Sequence, residues 1–437
     1  MASEGVRFQE MLAVLRRCLA DVPEHRQGSN CQYEIADAGL AAFSVFFMQS
    51  PSFLAHQRDM QRRKGKSNAQ SVFGVQVIPS DGQIRNLLDP AEPERLQQPF
   101  WEVHGLLQAN GQLERYRGLE DTLLVSLDGS QHFSSQKINC PNCHVQRQDD
   151  RTYYSHSVML AVLCAPGEEH VVCLDPEFIT PQDGHEKQDC EQEAIKRWVK
   201  RNGQRFAPWS VTILTDDLHC HQPLCELLKE HKLHFILTCK PESHQGLYEE
   251  LALLEKLEGA VSSKTVRRWN GRYYERLVYR WAERLPLRKT ADTVWVNWCE
   301  VTIVNEATGE RVYHCSWATD HEIDEHSVEE IVADGRSRWK VENEGFNVLK
   351  NRGYNFEHNY GHGQQHLSAF LLTLLLLAFL FHTALDLTCL AYQEVRRELA
   401  ARRTFFNDLR ALTRYLHFRN WDQLLWFMYE QLELAPG

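Results

Sequence analysis

From Asp121 onward the chain changes from helical spacing to short apolar runs that end in acidic or turn residues, and this stretch narrows the possible folds most. Leu123-Leu124-Val125-Ser126-Leu127 runs into Asp128-Gly129, and Val158 to Cys164 and His170 to Leu174 follow, each bounded by turn or charged residues. Three such runs in close succession predict strands of a meander. Glu191 to Arg201 then has the spacing of a helix, and Val211 to Leu214 that of a strand leading into Asp216-Asp217. Pro223 to His231 reads as a helix and Phe235 to Thr238 as a further strand. The order β-β-β-α-β-α-β predicts an α/β sheet whose first and fourth strands are neighbours.

The flanks differ. Phe8, Met11, Leu12, Leu15 and Leu19 recur at three and four, which predicts helices in residues 1–115. Beyond Lys240 strands return. Asn270-Gly271 sits between Thr265–Trp269 and Arg272–Tyr279, and Ala307-Thr308-Gly309 sits between Thr293–Val304 and Arg311–Trp317, two hairpin signals. Helical sequence resumes near Ser327 and continues, with an interruption around Asn351 to Gly363, to the end. The expected division is a helical region at 1–115, an α/β core at 116–240 and 323–385, a β-rich insertion at 241–322 and a helical tail at 386–437.

Composition excludes some classes. With 43% hydrophobic and 24% charged residues the chain is neither disordered nor fibrous. Its 13 cysteines are scattered and follow no apolar leader, so a reducing cytoplasm is expected rather than a secreted disulfide framework. The longest apolar run, Leu367 to Phe381, contains Ser368 and Thr373 and is short for a membrane span of about 20 residues. A buried helix and no membrane partner are expected. Extending the run to Leu390 takes in His382 and Asp386.

The net charge of -11 argues against a uniformly basic nucleic-acid binder, yet the charge is unevenly placed. Lys264 to Lys289 holds nine Lys/Arg against Glu275 and Glu283, a balance of +7, with Trp269, Tyr273, Tyr274, Tyr279 and Trp281 interleaved. Such a surface can neutralise phosphates and stack on bases, and Arg268, Arg272 and Arg276 are the candidate contacts. The bland alternative is a solvated hairpin with snorkelling arginines. Smaller basic clusters lie at Arg58–Lys66 and Arg396–Arg419.

Two acids at the ends of neighbouring apolar strands repel unless a cation lies between them. Asp128 and Asp216 are so placed, 88 positions apart. Arg338-Trp339-Lys340-Val341-Glu342 puts Arg338 and Glu342 at i and i+4 on one helix face and supplies a third acid. Three oxygen ligands with open positions suit Mg²⁺ or Mn²⁺. Each acid also has an ordinary reading, as a turn former or as half of a helix ion pair worth about 0.3–0.5 kcal/mol.

Asp128-Gly129-Ser130, Asp216-Asp217-Leu218-His219 and the run from Arg338 to Lys350 together resemble a bacterial insertion-sequence transposase of the DDE, RNase H-like superfamily. The resemblance covers roughly Asp121 to Gly363. It points to the branch with a β-strand insertion before the Glu and a Tyr-x2-Arg-x3-Glu-x6-Lys motif. Gly335 stands where that Tyr belongs, and Lys350 is one residue late. Glu344 and Asp217 are the reserves for Glu342 and Asp216. The resemblance implies an RNase H-like mixed sheet with flanking helices. It also implies metal-dependent cleavage at transposon ends and strand transfer, with Asp128, Asp216 and Glu342 catalytic and holding Mg²⁺ or Mn²⁺. Arg338 and Lys350 would bind phosphates, and residues 1–115 would bind DNA. The implied partners are transposon-end and target DNA, with a homodimer in the DNA complex, acting at the nucleoid. The alternatives are a DDE-type nuclease without strand transfer and an inactive DNA-binding descendant.

Cys140-Pro141-Asn142-Cys143 is a knuckle-like pair that His185 and Cys190 could complete as a structural zinc site. Separate reduced thiols are the plain alternative, and His132, His156 and the Cys220-His221 pair with Cys225 are competing ligands. His358 and His362 are expected to organise the turn before the apolar helix. Trp295, Trp298 and Trp317 alternate with polar residues in the inserted strands; by the resemblance one of them could stack on a flipped base, while core packing is the default.

Overall fold

The computed structural model describes residues 5–27, 32–60, 67–181 and 187–434, with residues 187–190 described by their backbone alone. In chain order the strands are β1 (Leu123–Ser135), β2 (His144–Gln148), β3 (Arg151–Leu163), β4 (Val172–Cys173), β5 (Glu177–Ile179), β6 (Val211–Thr215), β7 (His234–Thr238), β8 (Ser262–Trp269), β9 (Tyr274–Pro286), β10 (Trp295–Asn305) and β11 (Arg311–Thr319). They form one mixed sheet in the order β2-β3-β1-β6-β7-β11-β10-β9-β8, with β4 and β5 paired to β3.

The centre of the sheet follows from apolar content. β6 and β7 are almost wholly buried and run parallel to each other and to β1, as strands covered on both faces do. β1 is buried from Leu123 to Leu127 and then emerges. It does not stop at Asp128 as the Asp-Gly pair suggests. It continues to Ser135 against β3, and β2 extends this antiparallel arm, so Asp128 lies in mid-strand where the covering core ends. The third strand of the expected meander shrinks to the two residues of β4.

The strands within 241–322 continue the same sheet and form no separate sheet of their own. β11 lies antiparallel to β7 in the register Trp317↔Thr238 and Thr319↔Ile236, and β10, β9 and β8 follow by hairpins. Gly271 and Gly309, at φ 94° and 71°, make two of those turns, which a residue with a Cβ would strain. Trp298 and Trp317 are fully buried, whereas Trp295 is exposed.

The helices before the sheet are α1 (Phe8–Ala20), α2 (Ile35–Phe47), α3 (Phe53–Met60), α4 (Asn68–Phe73), α5 (Asp81–Leu88) and α6 (Gln97–Ala109). α7 (Lys187–Asn202), α8 (Gln222–Glu230) and α9 (Gln245–Leu254) lie between strands, and α10 (Val328–Arg336), α11 (Asn347–Asn351), α12 (Leu367–Thr388), α13 (Leu390–Leu399), α14 (Arg402–Tyr415) and α15 (Trp421–Gln431) follow the sheet. α12 is long and apolar enough to cross a membrane, but 89% of its most apolar window is buried inside the protein. It is apolar all round because it is surrounded. Phe8 of α1, Phe43 and Phe47 of α2, Phe381 of α12 and Trp421 of α15 form one aromatic cluster with centroids 4.7–6.3 Å apart, so N-terminal and C-terminal helices share a single core. Asp175, fully buried, receives Arg201 Nη2 at 2.9 Å, Trp101 Nε1 at 3.0 Å and Asn202 Nδ2 at 3.2 Å, which fastens α6 and α7 to the sheet.

Candidate active site

The parallel ladder between β1 and β6 pairs Leu123 with Val211 and Ser126 with Leu214. That offset of 88 residues also separates Asp128 from Asp216, so the two acids leave adjacent strands at one level. β6 ends there because Asp216, in an extended conformation (φ -78°, ψ 179°), opens the short helical turn Asp217–His219. Asp128 accepts a hydrogen bond from the Gly129 N–H at 2.9 Å.

The third acid arrives on a broken helix. After α10 the chain passes through Ser337–Lys340 into a π-helical turn, Val341–Phe346, and then α11. Single π turns inside helices re-aim side chains and recur at functional sites. The Ser126 hydroxyl donates to the Arg338 carbonyl at 3.1 Å and ties this segment to β1 beside Asp128. Arg338 Nη1 meets Glu342 Oε1 at 2.8 Å, as the i, i+4 spacing predicts, with the arginine nearly buried and the glutamate open to solvent.

Burial pushes the Asp128 carboxyl up to about 7; Arg338 opposes this, and the charges of Glu342 and Asp216 add to it. Burial also raises Asp216, again opposed by Arg338. Its Oδ1 is buried with no hydrogen-bond partner among the described residues, the nearest cation-forming group being His219 Nε2 at 3.6 Å. His219 is held down to about 4 by burial and by Arg338, so it stays neutral and offers Asp216 no counter-charge. Two buried, raised carboxylates, one with an orphaned oxygen, and a third acid held by the neighbouring guanidinium are oxygen donors of the kind a hard divalent cation takes.

The reserve acids are placed otherwise. Asp217 receives the Lys240 N–H at 2.6 Å and the Ser243 hydroxyl, with His244 Nε2 at 3.4 Å; burial would raise it, but these bonds hold it below its ordinary value. It anchors the turn after β7. Glu344 faces a cleft lined by Glu169, His170 and Arg396. Lys350 is paired with Glu357 Oε1 at 3.1 Å.

The basic stretch is more neutralised than its sequence suggests. Arg268 pairs with Glu275, Arg267 with Glu306, Lys264 with Glu329, Arg280 with Glu300 and Glu255, Arg288 with Asp292 and Lys289 with Glu249. Tyr279 and Trp281 point into the core. What stays available is the tip of the β8–β9 hairpin, where Trp269, Arg272, Tyr274 and Arg276 are exposed, and Arg284 farther along β9 over the exposed Trp295 ring. Arg272 and Arg276 have no ion-pair partner among the described residues.

His185 lies outside the described residues, as does the side chain of Cys190, so the zinc set expected from sequence is not described beyond Cys140 and Cys143. From sequence alone no role is assigned to Ser126. Ser126 is the one polar residue in the apolar run from Leu123 to Leu127, two positions before the acid and so on the same strand face, and that could have marked it.

Residues 135–380 match the family described as transposase DDE domain, more than half of the chain. The chain belongs to the DDE transposase family. The match takes in Asp216 and Glu342 and begins just after Asp128. The sheet order and flanking helices are those of an α/β RNase H-like transposase fold, and DDE transposases act on DNA and generally use divalent metal ions. No curated protein matches this DDE transposase chain.

Proposed function

We propose that this DDE transposase cleaves phosphodiester bonds at transposon ends and joins the freed ends to target DNA, with Asp128, Asp216 and Glu342 as its catalytic acids. The observation that carries the reading is the shared 88-residue offset of Asp128 and Asp216 on paired strands, with Glu342 held by Arg338, whose carbonyl is bonded to Ser126 of the same strand as Asp128. The three carboxylates would hold Mg²⁺ or Mn²⁺, which when bound supplies Lewis-acid activation of the attacking oxygen and stabilisation of the leaving one.

The chain's own groups prepare this. Arg338 holds Glu342 and limits repulsion among the acids. Asp128, raised by burial while the ion is absent, must give up its proton to become a ligand. One P–O bond forms as another breaks, with no covalent link to the protein. Arg338, Lys350, Arg272 and Arg276 are the proposed phosphate contacts, with residues 1–115 as a further DNA-binding region; Arg268, expected from sequence to join them, is taken up by Glu275. Each chain contributes one such set of acids, so a two-ended substrate calls for a homodimer acting at the nucleoid.

The test is cleavage and strand transfer on DNA carrying the element's ends, in Mg²⁺ and Mn²⁺. Asp128→Asn, Asp216→Asn and Glu342→Gln should each abolish both steps while leaving DNA binding largely intact. Cleavage without joining would reduce the reading to a nuclease. No cleavage by the unaltered protein in either metal would leave a DNA-binding descendant.

A further inference from the structure

Four ligand atoms from three separate parts of the chain converge at the outer end of the sheet. Cys140 and Cys143 lie in the turn between β1 and β2, His156 on β3, and His362 in the segment between α11 and α12. Cys140 Sγ and Cys143 Sγ are 3.8 Å apart, each is 3.4 Å from His156 Nε2, and Cys143 Sγ is 3.6 Å from His362 Nε2. All four atoms lie within 4.8 Å of one another, and neither cysteine is in a disulfide.

These separations can be compared with a tetrahedron. With zinc–sulfur bonds of about 2.3 Å and zinc–nitrogen bonds of about 2.0–2.1 Å, tetrahedral angles put two sulfurs about 3.8 Å apart and a sulfur and a nitrogen about 3.6 Å apart. The observed distances agree to within a few tenths of an ångström. The surroundings also suit a metal: Cys143 and His362 are buried, and the Nε2 atoms of both imidazoles face the sulfurs. The His362 ring leans on Phe133 at 4.4 Å, which fixes its orientation.

We propose that Cys140, Cys143, His156 and His362 form a structural Zn²⁺ site that fastens the segment after the Glu342 turn to the β1–β3 arm. A Cys₂His₂ set leaves zinc no open position, so the site is closed and not catalytic. The Asn142 side-chain amide, between the two cysteines, donates to the Gln365 carbonyl at 2.9 Å and brings the same two segments together. His362 therefore does more than organise a turn. The site lies apart from the three acids, and its test does not depend on their chemistry.

The full chain, purified without chelators in excess Mg²⁺, should contain about one zinc per molecule by elemental analysis. Removing it and titrating with Co²⁺ should give the intense visible bands of a tetrahedral ion and a thiolate charge-transfer band in the near ultraviolet. Cys143→Ser and His362→Ala should each bring the zinc content down to a small fraction, while His185→Ala and Cys190→Ser should leave it unchanged. The cobalt titration uses the unaltered chain, so a variant that misfolds does not decide the matter. Zinc retained in His362→Ala but lost in Cys190→Ser would overturn this ligand set. A chain that neither carries zinc nor takes up Zn²⁺ or Co²⁺ stoichiometrically would overturn the site, and a Cys140–Cys143 disulfide in the purified protein would assign the pair to redox chemistry instead.

Discussion

Gly335 of α10 lies against the indole of Trp317 on β11, and a Cβ at Gly335 would fall 2.7 Å from Nε1. The resemblance places a tyrosine there. In this chain the fully buried tryptophan occupies the room a side chain at 335 would take. Gly335→Ala should gain about 1 kcal/mol of helix propensity yet lose stability overall, because overpacking a core costs about 1–3 kcal/mol. Gly335→Tyr should be worse. Denaturant midpoints decide it, and pairing either change with Trp317→Ala should recover part of the loss; a Gly335→Ala protein as stable as the parent would show that the indole yields.

Asp128 predicts a pH effect. Its folded carboxyl is raised to about 7 from an ordinary value near 3.8, so in metal-free protein the folded state holds a proton that the unfolded state releases. Stability from this group is present at low pH and lost as pH rises from about 4 through 7. Buried Asp334 is also raised to about 7, so the comparison must be made against a variant. The melting temperature of Asp128→Asn should fall less between pH 5 and 8 than that of the parent. Mn²⁺ affinity in the parent should weaken as pH drops below about 7, since the ion must displace that proton. A parent and variant with parallel melting profiles would remove the premise.

The hairpin tip predicts a division among arginines expected from sequence to act alike. Arg272→Ala with Arg276→Ala should weaken DNA binding and flatten the dependence of log affinity on log salt by about 0.9 for each phosphate that is no longer neutralised. Arg268→Ala should act chiefly on folding, because Glu275, 9% exposed, loses the guanidinium 3.0 Å away. Binding isotherms at several salt concentrations and thermal melts separate the two. Unchanged salt slopes in the double variant would move the DNA path elsewhere.

Asp175 predicts a stability effect remote from the acids. Asp175→Ala strands Trp101 Nε1 and removes one of the two carboxylates facing Arg201, which keeps Glu177. Breaking a buried pair costs about 3–5 kcal/mol, and the retained partner sets the expectation near the low end, about 3 kcal/mol. Urea denaturation measures it, and a change under about 1 kcal/mol would mean that Glu177 alone satisfies Arg201.

What the sequence determined by itself was local. The apolar runs ending near Asp128 and Asp216, the Asn270-Gly271 turn and the i, i+4 pairing of Arg338 with Glu342 were legible because strand alternation, turn residues and helix spacing are encoded within a few neighbouring positions. The continuation of β1 past Asp128 was not, since Gly129-Ser130 reads as a turn until β3 lies beside it. Nor was the neutralisation of the basic stretch: most of its partners, among them Glu249, Glu255, Glu300, Glu306 and Glu329, come from other elements of the chain. Tertiary structure alone brought His362 to Cys143 across more than two hundred residues. Such meetings depend on which buried faces pack together, a choice made by the summed core and carried by no single segment, whereas the period of a strand or helix is set by its own backbone.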